Sequence, residues 1–376
     1  MFAFPNLRFP GFEEEWETKK LGEVVKINQG LQIAISERLT EKREGAYFYI
    51  TNEFLKANSI KRYYILNPPK SVICEEEDIL MTRTGNTGQV VTNVSGAFHN
   101  NFFKVAYPEY IVKNFLLNFL QSNKIQNQII RLAGTSTIPD LNHSDFYKIK
   151  IIFPSTQEQK KISTLLSLLA QRIQTQKKII SQLTSQMLNL KDLIFEQKLK
   201  FKDDQDANFP DWKENKIENI CEKQSSSISA NKIEDNIGDY PIYGATGILK
   251  NIDFYEVESD YISIIKDGAG VGRLLYCKGK SSVLGTLDII KPKNVNIFFL
   301  YLLLSRIDFK KYITGSTIPH IYFKDYKKEK HLIPSIEEQF KIANFLSSIQ
   351  EKIEIQKQIL EKLEFQKKFL LANLFV

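Results

Sequence analysis

Cysteine and histidine, which often serve as metal ligands, nucleophiles or general bases, are scarce in this sequence. Its 376 residues include three cysteines and four histidines, and none forms a Cys-x-x-Cys pair or has metal-ligand spacing. They are Cys74, Cys221, Cys277, His99, His143, His320 and His331. We therefore expect no metal site, no cofactor and no disulfide framework, and free thiols agree with a cytoplasmic location.

Two segments look like base-binding or nucleotide-binding motifs. Asn67–Lys70 is similar to the Asn-Pro-Pro-aromatic motif of N6-adenine methyltransferases, in which the ring stacks on an extruded base. Lys70 replaces that ring, and no cofactor-binding segment lies upstream. Gly268–Gly272 follows a predicted strand, but the next residues have strand periodicity and offer no helix N terminus for a phosphate. Both segments favour turns between strands, and the acidic run 75–78 favours a solvated turn.

Composition and charge describe a globular chain of two or three domains. Hydrophobic residues account for 43% and charged residues for 25%. No apolar run reaches the roughly 18 residues of a transmembrane helix, and the N terminus lacks the features of a secretory signal. We thus expect no membrane association. Lys and Arg exceed Asp and Glu by 51 − 44 = 7, which permits nucleic-acid binding without requiring it.

The sequence contains an internal repeat. Residues 136–195 align with residues 316–375 without a gap, with about 23 of 60 positions identical. The heads of the two halves, 9–27 and 209–223, also share a Phe-Pro start and a nearby tryptophan. A tandem enzyme would keep catalytic residues in both copies, whereas the residues repeated here belong to a scaffold. The repeat therefore indicates one scaffold that carries two different inserts.

The inserts, residues 28–133 and 224–313, have the pattern of strand-rich mixed domains. Strands are predicted at 46–51, 78–84, 89–94 and 101–107, and at 240–244, 260–268, 272–277 and 287–292. Single helices are predicted over 111–133 and 296–313. Each helix leads into a loop that contains Ser-Thr-Ile-Pro.

A long helix follows each of these loops. Ser155 with Glu158, and Ser335 with Glu338, match a capping box, in which the hydroxyl accepts from the N3 amide and the glutamate reaches back to the cap. Apolar residues then recur in steps of four and three, as in a coiled coil. They are Ile162, Leu166, Leu169, Ile173, Ile180, Leu183, Met187, Leu190 and Ile194, and Ile342, Leu346, Ile349, Ile353, Leu360, Leu363, Leu370 and Leu374. Each helix would be roughly 60 Å long.

One position in each apolar stripe is polar, and it is the same position in both copies: Gln176 and Gln356. If the helices pair antiparallel, the two glutamines meet near the pseudo-twofold axis and fix the register of the coiled coil. Alternatively, each glutamine faces solvent where the stripe opens.

Together these features resemble the DNA-specificity (S) subunit of type I restriction–modification systems, over nearly the whole chain. The resemblance rests on the Ser-Thr-Ile-Pro loops with the downstream Asp145 and Asp325, on the Pro-Ser-x-x-Glu-Gln helix starts, and on the order variable, helix, variable, helix. It implies an α+β fold class with a pseudo-twofold internal repeat. Two α/β target recognition domains alternate with two long helices that pair as an antiparallel coiled coil.

The resemblance also implies domain boundaries and a function. Target recognition domains are expected at 1–153 and 201–333, and conserved helical spacers at 154–200 and 334–376. The subunit would read a bipartite, asymmetric sequence in double-stranded DNA, without catalytic activity of its own. It would direct two methyltransferase (modification) subunits and the restriction motor-nuclease subunits to that sequence.

Polar loops between apolar strands supply the candidate DNA contacts, since such side chains hydrogen-bond to base edges and phosphates. The first-rank candidates are Thr51, Asn52, Arg83, Thr84, Asn86 and Gln89 in the first domain, and Tyr243, Thr246, Lys266 and Arg273 in the second. The second-rank candidates are Ser136, Thr137, Ser316, Thr317 and His320. The loops of the second rank have an equally plausible role in holding each domain against its helix.

Two other functions remain open from the sequence. One is a solitary DNA-binding protein that needs no methyltransferase, although the length of the apolar stripe disfavours it. The other is a coiled-coil adaptor without a nucleic-acid role, for which no salt-sensitive DNA binding is expected.

Overall fold

The computed structural model describes residues 5–56, 59–134 and 139–375 and divides into two compact units. Unit 1 extends to Lys178 and also includes the chain from Gln358; unit 2 is Ile179–Lys357. Each long helix therefore contributes one part to each unit. None of the helices in the described ranges is long and apolar enough to cross a membrane.

Unit 1 contains three antiparallel or mixed sheets. Its strands are β1 Glu17–Lys20, β2 Lys26–Gln29, β3 Ala46–Ile50, β4 Tyr64–Leu66, β5 Ile73–Cys74, β6 Ile79–Thr82, β7 Val90–Val91, β8 Gly96–Phe98, β9 Phe102–Ala106 and β10 Lys150–Phe153. They are ordered β2-β9-β6-β7, β4-β3-β8-β5 and β1-β10. The helices are α1 Leu21–Val24, α2 Lys113–Gln121, α3 Asn123–Ala133, α4 His143–Lys148 and the first part of α5 Thr156–Phe195.

Unit 2 has the same arrangement of sheets, with one strand fewer among the residues that the structure describes. Its strands are β11 Lys213–Lys216, β12 Cys221–Ser225, β13 Tyr240–Gly244, β14 Gly247–Ile252, β15 Tyr261–Ile265, β16 Leu274–Cys277, β17 Ser282–Val283, β18 Leu287–Pro292 and β19 Lys330–Ile333. They are ordered β12-β18-β15-β16, β14-β13-β17 and β11-β19. The helices are α6 Ile217–Ile220, α7 Ile297–Leu304, α8 Phe323–Tyr326 and the first part of α9 Ile336–Leu374.

The repeated head and tail of each half pair with each other. β1 runs antiparallel to β10, with Glu17 opposite Phe153, and β11 runs antiparallel to β19, with Lys213 opposite Ile333. Each insert begins after the first strand of this ribbon and ends before the second. The ribbon therefore closes each domain at the point where its long helix begins, which explains why the sequence repeats at these two places.

The two long helices pair antiparallel, as the family resemblance implies. In unit 1, residues early in α5 meet residues late in α9: Ile162 and Leu166 share a core with Leu374, and Ile173 packs with Leu363. In unit 2, the late α5 residue Ile194 shares a core with residues near the start of α9. All the stripe residues are buried or half-buried.

The capping-box glutamates bind partners far away in sequence. Glu158 is 1% exposed, and its carboxylate accepts two 3.0 Å hydrogen bonds from the Arg8 guanidinium. Glu338 is 5% exposed and accepts a 3.0 Å hydrogen bond from Trp212 Nε1. Each carboxylate thus connects the first turn of a long helix to the head of its own half. The Ser335 hydroxyl accepts from the Glu338 amide, at 3.3 Å, as a capping box requires.

The helices predicted over 111–133 and 296–313 are wrong in extent. The first is interrupted at Ser122, which has extended backbone angles (φ −65°, ψ 142°) between α2 and α3. The Ser122 hydroxyl donates to Phe119 O at 2.8 Å and competes with the helical hydrogen bonds. The second ends at Leu304 and continues only as a 3₁₀ turn at Phe309–Tyr312.

Truncation of Leu166 tests the contribution of the paired helices to stability. Leu166 is 1% exposed, so Leu166→Ala leaves a cavity and should lower the free energy of unfolding by about 2–5 kcal/mol. Leu168, which is 58% exposed on the same helix, is the matched control, and Leu168→Ala should change the free energy little. Urea unfolding followed by circular dichroism measures both variants. Equal losses would contradict this burial pattern.

The buried carboxyl of Glu338 predicts a pH-dependent stability. Burial raises its pKa above the ordinary value of about 4.5. The contribution of the neutral acid is therefore complete below about pH 4.5 and disappears as the pH rises through the folded-state pKa. Compared with Glu338→Gln, the wild-type chain should become relatively more stable as the pH falls from 7 toward 4.5. Urea unfolding of both proteins across this range checks the sign, and parallel pH curves would refute it.

Candidate nucleic-acid interface

In unit 1, a glycine-punctuated loop, residues 83–89, connects the end of β6 to β7. Gly85 and Gly88 have φ angles of +87° and +89°, which side chains with a Cβ rarely adopt. The Gly88 amide donates to Thr82 O at 2.8 Å, and the Thr82 amide donates to Gln89 O at 2.9 Å. These backbone bonds fold the loop back on the strand that it leaves.

An ion pair connects this loop to the segment after the Ser-Thr-Ile-Pro sequence. The Arg83 guanidinium binds both carboxylate oxygens of Asp140, with Nε at 3.0 Å and Nη2 at 2.5 Å. The Thr84 hydroxyl also donates to Asp140. The hydrogen bonds from Arg83, followed by that from Thr84, lower the pKa of Asp140 below its ordinary value despite partial burial. Main-chain bonds reinforce the link, since Leu141 N donates to Arg83 O at 2.9 Å.

The remaining candidates of unit 1 differ in accessibility. Thr51 is only 6% exposed, and this burial does not support a contact with DNA. Its role as a DNA contact stays a prediction. Asn52 is half-buried, and its Nδ2 donates to Thr84 O at 3.0 Å, so its side chain holds the main chain of the loop. Asn86 and Gln89 are exposed. Ser136 and Thr137 lie outside the described residues.

Unit 2 contains the equivalent loop, residues 266–273, between β15 and β16. Gly268 and Gly272 have φ angles of +92° and +85°. The Gly272 amide donates to Ile265 O at 2.8 Å, and the Ile265 amide donates to Arg273 O at 2.9 Å. Ile321 N donates to Lys266 O at 3.0 Å, as Leu141 does to Arg83. In the structure, Gly85 is thus equivalent to Gly268, and Gly88 to Gly272.

The cation at the start of this second loop has a different carboxylate partner. Lys266 Nζ lies 3.2 Å from Asp288, a buried residue of β18 that also accepts a hydrogen bond from the Ser225 hydroxyl. His320, at the position equivalent to Asp140, faces Asp267 with Nδ1 at 3.9 Å from its carboxylate. The equivalent cations Arg83 and Lys266 are therefore both held by acidic groups of their own unit.

The other candidates of unit 2 fall into two groups. Tyr243 is 8% exposed and belongs to the core, so its assignment as a DNA contact stays a prediction without support from exposure. Thr246, Arg273, Ser316 and Thr317 are exposed. Arg273 Nη1 donates to Ala245 O at 3.2 Å, which brings the segment around Thr246 beside the loop.

Sequence reasoning missed the acidic anchors Asp140 and Asp288. Asp140 aligns with His320, which the sequence did nominate, so the repeat contained a signal for that position. Asp288 lies in an apolar strand and aligns with no carboxylate in the first half. Asp288 lies close to Lys266 because β18 pairs with β15, the strand that precedes the loop.

Gln176 and Gln356 belong to different units. Gln176 is 7% exposed and Gln356 is half-buried, so neither glutamine is fully solvated. Their pairing across the coiled coil stays a prediction.

Thiol chemistry is not favoured at any of the cysteines. Burial raises the pKa of Cys74 to about 11 and the pKa values of Cys221 and Cys277 to about 12. All three are therefore protonated at neutral pH and are poor nucleophiles. The two loops instead present amide, hydroxyl and guanidinium groups, which are suited to hydrogen-bonding with base edges and phosphates.

Comparison with known proteins gives the same family twice along the chain. The family model for the type I restriction modification DNA specificity domain matches residues 13–185 and again residues 210–365. The chain is 27% identical to the specificity subunit of the type I restriction enzyme MjaVIII from Methanocaldococcus jannaschii, with 96% of this chain and 92% of that protein covered. It is 22% identical to the MjaIX specificity subunit of the same organism, with 92% and 90% covered.

Solved structures share the fold. The S subunit of a type I restriction–modification system from M. genitalium is similar with a TM-score of 0.70 at 18% identity, with 100% of this chain and 99% of that chain covered. A chain from a study of type I complex assembly and conformational transition has a TM-score of 0.51 at 17% identity, with 97% and 98% covered.

Loss of the Arg83–Asp140 pair should loosen the first loop. In Asp140→Asn, hydrogen exchange at the amides of Gly88 and Leu141 should become about two- to fivefold faster, because part-exposed ion pairs contribute up to about 1 kcal/mol. Asp145→Asn is the matched control, since Asp145 pairs with the exposed Lys148 at 2.8 Å in the same domain. Exchange at Gly88 and Leu141 that does not respond to Asp140→Asn would rule out an anchoring role.

Proposed function

Because the chain belongs to the type I restriction–modification DNA specificity family, we propose that it reads a bipartite DNA sequence and brings partner subunits to it. It is a DNA sequence-recognition subunit. One recognition domain in each half reads one part of the target. The target is asymmetric, because the two inserts differ in sequence.

The observation that carries this proposal is the pair of equivalent loops. Both leave the same strand of the same sheet order and turn through two glycines with positive φ. Yet the side chains that they expose differ: Asn86 and Gln89 in one unit, Arg273 in the other. A shared backbone with different exposed hydrogen-bonding groups suits two readers of two different base sequences.

The protein itself is proposed to be non-catalytic. Two observations support this view. The three thiols are buried and protonated, and the inserts diverge, so that the residues repeated in both halves form a scaffold instead of a reaction centre. Methylation and cleavage belong to partners: two methyltransferase subunits, which dock on the helical segments 154–200 and 334–376, and restriction motor-nuclease subunits. Recognition domains occupy 1–153 and 201–333, and the complex acts on double-stranded DNA in the cytoplasm.

Co-expression with the methyltransferase subunit of the same system tests this function. Single-molecule sequencing of the host DNA should show a split, asymmetric methylation motif that disappears when this chain is deleted. Replacement of residues 28–133 by the matching insert of a related subunit should change one half of the motif and leave the other intact. A stable complex that methylates no chain-dependent motif would refute the proposal and favour the adaptor function.

A further inference from the structure

The two loops place one residue in the same backbone position of each unit. Gln89 and Arg273 both follow the second positive-φ glycine. Each accepts a 2.9 Å hydrogen bond at its carbonyl from the last residue of the preceding strand, Thr82 or Ile265. The amide of each donates to a carbonyl three residues earlier, at 3.2 Å for Gln89 and 3.0 Å for Arg273. The two positions are therefore structurally equivalent.

Both side chains are exposed and largely uncommitted. Within the described residues, the Gln89 side chain has no hydrogen bond, and Arg273 uses one donor, Nη1, on the carbonyl of Ala245. The cations at the start of the loops differ in this respect. Arg83 is bound to Asp140 through two donors, and Lys266 is bound to the buried Asp288. In each loop, the side chain of the first residue is thus bound to a carboxylate of the same unit, whereas the side chain of the last residue is exposed to solvent.

The two side chains match different bases. A glutamine amide hydrogen-bonds both to N6 and to N7 of adenine, whereas a guanidinium donates both to O6 and to N7 of guanine. Building on the proposed function, we propose that the position occupied by Gln89 in the first domain and by Arg273 in the second, here called position 89/273, determines base specificity in each domain. Gln89 selects an adenine in one half of the target, and Arg273 selects a guanine in the other half. Arg83 and Lys266 are positioning residues that hold the loops.

Exchange of the two side chains tests the assignment. In the complex with its methyltransferase subunits, Gln89→Arg should convert one adenine of the first half-site to guanine, and Arg273→Gln should convert one guanine of the second half-site to adenine. The other half should stay unchanged in each case. Binding of duplexes with each of the four bases at every target position should show a change in preference of about 5- to 150-fold at that position.

Matched controls separate base reading from a change in charge. Gln121→Arg adds the same charge at an exposed glutamine outside the loop, and Lys232→Gln removes one positive charge from an exposed side chain of unit 2. Both should leave the motif unchanged. If Gln89→Arg abolishes methylation in cells, the duplex-binding panel with the purified complex decides whether the base preference has changed.

The outcomes distinguish this inference from the function on which it rests. A wild-type motif with unaltered base preferences in both exchange variants, or a motif with no adenine in the first half, would overturn the assignment of position 89/273 alone. A wild-type complex without any chain-dependent motif would overturn the proposed function, and the base assignment with it.

Discussion

Each unit depends on the burial of one end of a long helix in a mixed core. Ile162 and Leu166 at the start of α5, and Ile342 and Leu346 at the start of α9, are at most 1% exposed and pack with residues of the sheets and of the other long helix. The β ribbons and the carboxylates of Glu158 and Glu338 join the head of each half to the same helix end. The two glycine-containing loops therefore extend from a domain whose position relative to that helix end is fixed by apolar packing.

On this common scaffold, the two units stabilise equivalent loops by different electrostatic means. In unit 1, the Arg83 guanidinium binds the Asp140 carboxylate, and in unit 2, the Lys266 ammonium group binds the carboxylate of Asp288 in β18. Asp140 is 45% exposed, so solvent screens its pair, whereas Asp288 is 7% exposed and three hydrogen-bonding or charged partners compensate its burial. The backbone of the loop is common to both units, whereas the anchoring ion pairs differ.

Periodicity and repetition in the sequence predict the scaffold well. The stepwise apolar stripe predicts both long helices and a packed apolar face on each, and the family resemblance implies that they pair antiparallel. The equivalence of the two glycine-containing loops appears in the structure. Contacts over long sequence separations are not predictable in this way. Arg8 meets Glu158, and Trp212 meets Glu338, only because the folded ribbon brings the head of each half to its helix. Similarly, the break at Ser122 depends on a local hydrogen bond that competes with an otherwise helical pattern, and the burial of Thr51 and Tyr243 depends on sheet packing.

Three main-chain hydrogen bonds are common to both loops, and this has an evolutionary consequence. Because these three bonds use no side-chain atom of Gln89 or Arg273, replacement of either side chain leaves them in place. Substitution at these two exposed positions therefore costs the loop backbone little stability. Under the proposed base assignment, a point substitution there changes the DNA target without requiring compensating mutations in the core.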